Sequence, residues 1–174
     1  MSFEKVISED LIKAVNEVLK TLNGITELYA SQMTIIKALF DSENIFYTGS
    51  TNSGKTLPTV LYPQILKQLN KMGYKFPNNP KVLFLTALNS LQLSLFNNTK
   101  SIGLDCDILT SRNAASLLSS ETSVLFVSPE VLKLPLVTKI LLENRSSFVL
   151  KVVDEAHLGN AEKTIESMQF CHIS

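Results

Sequence analysis

A strand-like run, Asn44-Ile45-Phe46-Tyr47-Thr48, opens directly into Gly49-Ser50-Thr51-Asn52-Ser53-Gly54-Lys55-Thr56 and then into a stretch with helical periodicity. A GxxxxGKT loop between a strand and a helix commits the chain to an α/β architecture and to phosphate chemistry. The glycines allow a tight turn whose backbone N–H groups converge on one point, and the following helix directs its positive end at the same point. Lys55 supplies a point charge for the β- and γ-phosphates, and Thr56 a hydroxyl for Mg²⁺. Gly49, Ser50, Thr51, Asn52, Ser53, Gly54, Lys55 and Thr56 are therefore the candidate nucleotide-binding residues. A chance match to the pattern carries no such strand-to-helix context.

The periodicity on either side agrees with that architecture. Ser8-Glu9-Asp10 can cap a first helix in which Leu11, Ile12, Val15, Val18 and Leu19 recur at helical spacing, stopped by Asn23-Gly24. A second helix over residues 32–40 sets Ile35, Ile36, Leu39 and Phe40 on one side, and Asp41-Ser42-Glu43 ends it. After the phosphate loop the spacing predicts a helix over 54–70, a strand over 82–85, a helix over 88–97, a short strand over 107–109 and a short helix over 114–118. A strand over 124–127, a helix over 129–142 with Pro135 near its middle, and a strand over 148–153 complete the series. The strands are continuous apolar runs, the mark of strands buried on both faces, so the sheet should be mostly parallel with helices on both sides.

The 174 residues, 45% of them hydrophobic, suffice for one core. Zero net charge argues against a broad electrostatic surface for nucleic acid, though not against a site that reads phosphates through amides and hydroxyls. Cys106 and Cys171 are too few and too scattered for a disulfide framework or a zinc site. Neither a signal peptide nor an apolar run of the roughly eighteen residues a membrane span needs is visible, so no membrane partner is expected and a soluble protein of the nucleus or cytoplasm is. Lys67, Lys71 and Lys75, about a helical turn apart, read as a solvated face.

A second chemical signal is Val152-Val153-Asp154-Glu155-Ala156-His157, two acids immediately after a buried strand. In open α/β sheets ligands bind beyond the carboxyl ends of the strands, where both the phosphate loop and this acid pair fall. Asp154 is suited to hold the Mg²⁺ that Thr56 touches, and Glu155 to orient and deprotonate an attacking water. His157 would couple the site to something beyond it. Taken alone, the two acids could instead cap a following helix.

With these residues in hand the chain resembles the first RecA-like motor domain of a superfamily 2 helicase, and within it the RecQ-like DExH group. Gln32 lies 23 residues before Lys55, the spacing of that family's adenine-reading glutamine to its P-loop lysine, and Gly24 and Gln32 match the same motif. A glutamine amide can pair with both N6 and N7 of adenine. Phe84-Leu85-Thr86-Ala87-Leu88-Asn89-Ser90-Leu91 is similar to the family segment that contacts the nucleic-acid backbone, and Phe126-Val127-Ser128-Pro129-Glu130 to its T/S-P-E element. Tyr29 and Leu28 stand where the RecQ pattern has arginine and an aromatic residue. No aromatic follows His157 in Leu158-Gly159-Asn160-Ala161-Glu162-Lys163.

The resemblance implies a RecA-like P-loop NTPase fold over residues 24–174, preceded by an N-terminal helix in residues 1–23. It implies ATP and Mg²⁺ as cofactors, with Lys55, Asp154, Glu155 and His157 in catalysis and Thr56 and Asp154 on the metal. Thr86, Ala87, Ser90, Ser128, Pro129 and Glu130 would contact single-stranded nucleic acid, DNA in preference to RNA. Ser128-Pro129-Glu130 also reads simply as a helix start, with Pro129 in the first turn. The family's second motor domain and its arginine fingers have no counterpart before Ser174, so they would have to act in cis or in trans. Such fingers contribute about 10³–10⁵ in rate in other phosphoryl-transfer systems, so little turnover is expected of this chain alone. Two alternatives stand beside the RecQ-like reading: a truncated or degenerate protein that binds nucleotide or nucleic acid without turnover, and a fragment of a DExH RNA helicase.

Overall fold

Strands with no polar face need apolar cover on both sides, and the chain supplies it with a helix layer on each face of a parallel sheet. The computed structural model describes residues 6–41, 54–86 and 89–153. Its strands are β1 (Lys81–Leu85), β2 (Cys106–Ile108), β3 (Val124–Val127) and β4 (Phe148–Val153), hydrogen-bonded in the order β2-β3-β1-β4. All three pairings are parallel, with Leu85 opposite Val127 on one side and Val153 on the other. The expected strand over 45–48 lies outside the described residues.

Because side chains alternate along a strand, the sheet carries two cores. Phe84, Val124 and Phe126 face one cluster with the first four helices, while Leu83, Leu85, Leu125 and Val127 face another with the later ones. The first layer holds α1 (Ser8–Leu19), α2 (Ala30–Asp41), α3 (Thr56–Lys71) and α4 (Asn89–Ser101). In α1 the buried side chains are Leu11, Ala14, Val15, Val18 and Leu19, whereas Ile12 points outward, 41% exposed. The expected Ser8 cap does not form. Ser8 is the first helical residue, and the Tyr74 hydroxyl does the capping instead, accepting from the Ile7 N–H at 3.2 Å and donating to Asp10 Oδ2 at 2.9 Å.

α2 buries Ile35 and Ile36 and sets Phe40 edge-on to Tyr62 of α3, with ring centroids 5.1 Å apart. α3 runs straight through Pro63. Proline in a helix interior costs about 3 kcal/mol, and burial of Leu61, Ile65, Leu66 and Leu69 on the sheet sustains the helix across it. Of the three lysines expected on a solvated face, Lys71 and Lys75 are exposed, and Lys67 is three-quarters buried with its ammonium 3.6 Å from Glu121. Cys106 is buried, its Sγ 3.6 Å from the Phe96 carbonyl, and burial pushes the thiol up to about 11.

The second layer contains α5 (Ala114–Ser119), α6 (Pro129–Leu132) and α7 (Pro135–Glu143). A single helix over 129–142 is not what forms. Leu134 is extended (φ −72°, ψ 121°) and Pro135 starts α7, because a residue preceding proline is driven out of the helical region while proline suits a first turn. The Thr138 hydroxyl closes the break by donating to the carbonyls of Leu132, at 2.7 Å, and Leu134, at 3.2 Å.

Lys81, at the start of β1, is wholly buried. Its ammonium donates to the carbonyls of Leu117 (3.3 Å), Ser120 (2.7 Å) and Thr122 (2.7 Å) where α5 ends and the chain turns toward β3. Burial lowers its pKa, and Glu121 offsets part of that effect. A cation at a helix carboxyl end is favourable, and three carbonyls replace its hydration. Lys81→Met keeps the stem and leaves those carbonyls short of a donor. It should destabilise the fold by about 3 kcal/mol, read as a lowered urea midpoint with an unchanged slope.

Candidate nucleotide and nucleic-acid site

Among the described candidates, Thr86 and Ser128 follow the carboxyl ends of β1 and β3, and Gln32 meets Gly54 just before α3. On the nucleotide side, Gln32 is not the exposed residue that an amphipathic α2 alone would suggest; it is 4% exposed. Its Nε2 donates to the Gly54 carbonyl at 3.1 Å, and its Oε1 accepts from the Tyr29 N–H at 2.9 Å. The Gly54 carbonyl also accepts from the Leu57 N–H at 3.2 Å, so both of its lone pairs are engaged at the first turn of α3. An amide has two donors and two acceptor sites, which leaves Gln32 one of each. Gly54 has φ +68°, and a Cβ there would run into Gln32 Nε2. Only glycine combines that backbone with that approach.

Lys55 and Thr56 follow at once, Thr56 as the first residue of α3. Thr56 is half-buried there. No group of three His, Cys, Asp or Glu gathers among the described residues, so a metal here would depend on Thr56, a carboxylate outside them and the phosphates themselves. Gly49, Ser50, Thr51, Asn52 and Ser53 of the loop, Ala87, and Asp154, Glu155 and His157 lie outside the described residues. β4 ends at Val153, directly before Asp154 in sequence and in register with Leu85.

The other side of the edge joins the residues that follow β1 and β3. Thr86 is 1% exposed; its N–H donates to the Val127 carbonyl at 3.1 Å, and its hydroxyl has no partner among the described residues. Ser128 stands at the N-cap position of α6 with extended backbone, and Pro129 occupies the first turn as the sequence implies. The Glu130 N–H and the Ser128 hydroxyl hold the Glu130 carboxyl below the usual carboxylate range, and Lys133 adds to this. Ser90 is exposed on the first turn of α4. Gln92, one turn into α4, is only 7% exposed. With its amide oxygen directed toward the end of β3, the orientation its donors and acceptors require, it accepts from the Val127 and Ser128 N–H groups, each at 3.2 Å.

Residues 29–172 match the DEAD/DEAH box helicase family. The chain belongs to that family. Comparison with curated proteins gives no match. This DEAD/DEAH box helicase domain is thus a nucleotide-binding motor domain on an all-parallel, helix-flanked sheet, consistent with a RecA-like fold, and the family binds ATP and nucleic acid. Among the described residues no helix is long and apolar enough to cross a membrane.

Sequence patterning misses Gln92. The signal is present: residues 92, 95, 96 and 99 form the inward stripe of α4, and Gln92 is a glutamine where Leu95 and Phe96 continue with apolar side chains. A long polar side chain at a core position announces a hydrogen bond to be found. For the helicase's nucleotide side, Gly54→Ala should cost more stability than Gly24→Ala. Gly24 also has positive φ (+73°) but nothing within 4 Å of an added Cβ. The backbone strain of about 1–3 kcal/mol is shared, and the Gln32 collision is not. Urea denaturation of the two variants compares them directly.

Proposed function

We propose that this chain is the first motor domain of a RecQ-like ATP-dependent DNA helicase, binding Mg·ATP and a single DNA strand. It would work with a second RecA-like domain supplied in cis or in trans, in the nucleus or cytoplasm. The observation that carries the reading is the contact between Gln32 and Gly54. A spacing of 23 residues in sequence becomes a hydrogen bond that puts an amide suited to adenine beside the glycine that precedes Lys55. The base and the phosphates of one nucleotide would meet those two residues together.

In this reading the loop from Gly49 to Thr56 cradles the phosphates through backbone N–H groups, and Lys55 neutralises charge on the β- and γ-oxygens. Mg²⁺, held by Thr56 and Asp154, would offset charge between those oxygens when bound. Glu155 orients the attacking water, and His157 links the site to the strand-binding edge. Thr86, Ser90 and Ser128 would offer the DNA phosphates hydroxyls rather than cations, beside Ala87, Pro129 and Glu130; the N–H groups of Thr86, Ser128 and Glu130 are already engaged, and Pro129 has none. The Glu130 carboxylate is engaged by its own N–H and by Ser128 and stays ionised at neutral pH. It therefore orders the turn and does not itself touch phosphate.

Lys55→Ala should weaken Mg·ATP binding at least tenfold, the equivalent of about 1.4 kcal/mol, with the domain still folded. Equal affinities by calorimetry would remove the nucleotide assignment. Binding of a dT oligonucleotide should be sequence-tolerant and fall only gently with salt, since few counterions are released where neutral groups meet the phosphates. A steep salt slope in anisotropy titrations, or tighter binding of rU than of dT, would speak against the strand reading and for an RNA helicase respectively.

A further inference from the structure

The residues that follow β1 and those that follow β3 are separated by about forty positions in sequence, yet two polar contacts fix one to the other. The first belongs to the sheet: the Thr86 N–H donates to the Val127 carbonyl at 3.1 Å. The second is an addition to it. Gln92 reaches from α4 across the end of the sheet, and its Oε1 accepts from Val127 N–H and Ser128 N–H at 3.2 Å each. Ser128 lies one residue beyond the last residue of β3, at the N-cap position of α6, where its side chain makes no capping hydrogen bond. Burying a glutamine to 7% exposure at a position where the neighbouring turn offers Leu95 and Phe96 is unfavourable unless its amide is used.

We infer that Gln92 is a positioning residue for nucleic-acid binding: it clasps the Ser128-Pro129-Glu130 turn to α4, so that a single strand meets the Ser90 and Ser128 hydroxyls as one preformed surface. The inference rests on the strand-binding reading given above and adds to it the device that fixes the spacing of its two halves. α4 carries the exposed Ser90 on its first turn, and Gln92 sits on the same helix two residues later. Rotation or translation of α4 against the α6 turn would change the distance between the two sets of phosphate-facing groups. The Gln92 amide opposes that motion through its two hydrogen bonds to the end of β3. A strand binding a surface already in register loses less to ordering it.

The test uses the full chain, a fluorescein-labelled dT oligonucleotide and two variants. Gln92→Leu fills the same volume without an acceptor, and Gln92→Glu keeps an oxygen that can accept from both N–H groups. Gln92→Leu should weaken dT binding about tenfold with Mg·ATP affinity within twofold of the wild type, and Gln92→Glu should restore most of the dT affinity. Equal dT affinity for the wild type and Gln92→Leu, parallel loss of ATP affinity, or failure of Gln92→Glu to restore binding would each overturn the inference. A wild-type chain that binds ATP but no oligonucleotide would instead sink the strand-binding reading itself. Hydrogen exchange of the wild type reports on the clasp without any variant: the Ser128 amide should exchange slowly, and exchange at the rate of an open loop would show that no clasp exists.

Discussion

Everything on the functional edge depends on β1 being hydrogen-bonded along both sides. A central strand with every residue buried has no solvent to satisfy its backbone, so β3 and β4 must lie against it in register. Parallel pairing then forces the three carboxyl ends to the same edge, with Val127, Leu85 and Val153 abreast. Thr86 and Ser128, the first residues beyond β1 and β3, are thereby delivered to neighbouring strand ends. The backbone chooses the edge, and the side chains then determine what it binds.

Two buried glutamines finish what the sheet begins. Gln32 ties α2 to the start of α3, and Gln92 ties α4 to the start of α6. Both link a helix flank to a turn just outside regular structure, where backbone groups lack ladder or helix partners. A neutral amide does this better than a charge would, because it can give and accept at once and carries no large desolvation penalty.

The strands were the most legible part of the fold. Val82 to Leu85 and Val124 to Val127 are too short and too uniformly apolar for anything but buried strands between helices, and their alternation onto two cores follows from the pleat alone. The phosphate loop is a clear pattern in the sequence, but Gly49 to Ser53 lie outside the described residues. Less could be seen where tertiary partners decide. Ser8 could have capped α1, but Tyr74, more than sixty residues away, took the role, and no local pattern records that. Pro135 was visible, yet its effect depended on Leu134 going extended and on Thr138 being placed to bridge the gap. Gln32 was found by spacing and would have been misplaced by amphipathicity. Gln92 was hidden because a polar residue on a largely polar helix draws no notice until its face is known.

Set side by side, Lys81-Val82-Leu83-Phe84-Leu85-Thr86 and Ser123-Val124-Leu125-Phe126-Val127-Ser128 are nearly the same segment, and in the sheet Val82, Leu83 and Phe84 lie opposite Val124, Leu125 and Phe126. Apolar burial would hardly notice if the two exchanged slots in a collapsing chain. Lys81 would notice. In its own slot the ammonium finds three carbonyls, one in the last turn of α5 and two just beyond it; in the other, a charge would enter a place that Ser123 fills with a single hydroxyl. The lysine thus serves as an address label, one cation that tells two interchangeable strands apart while the core is still forming.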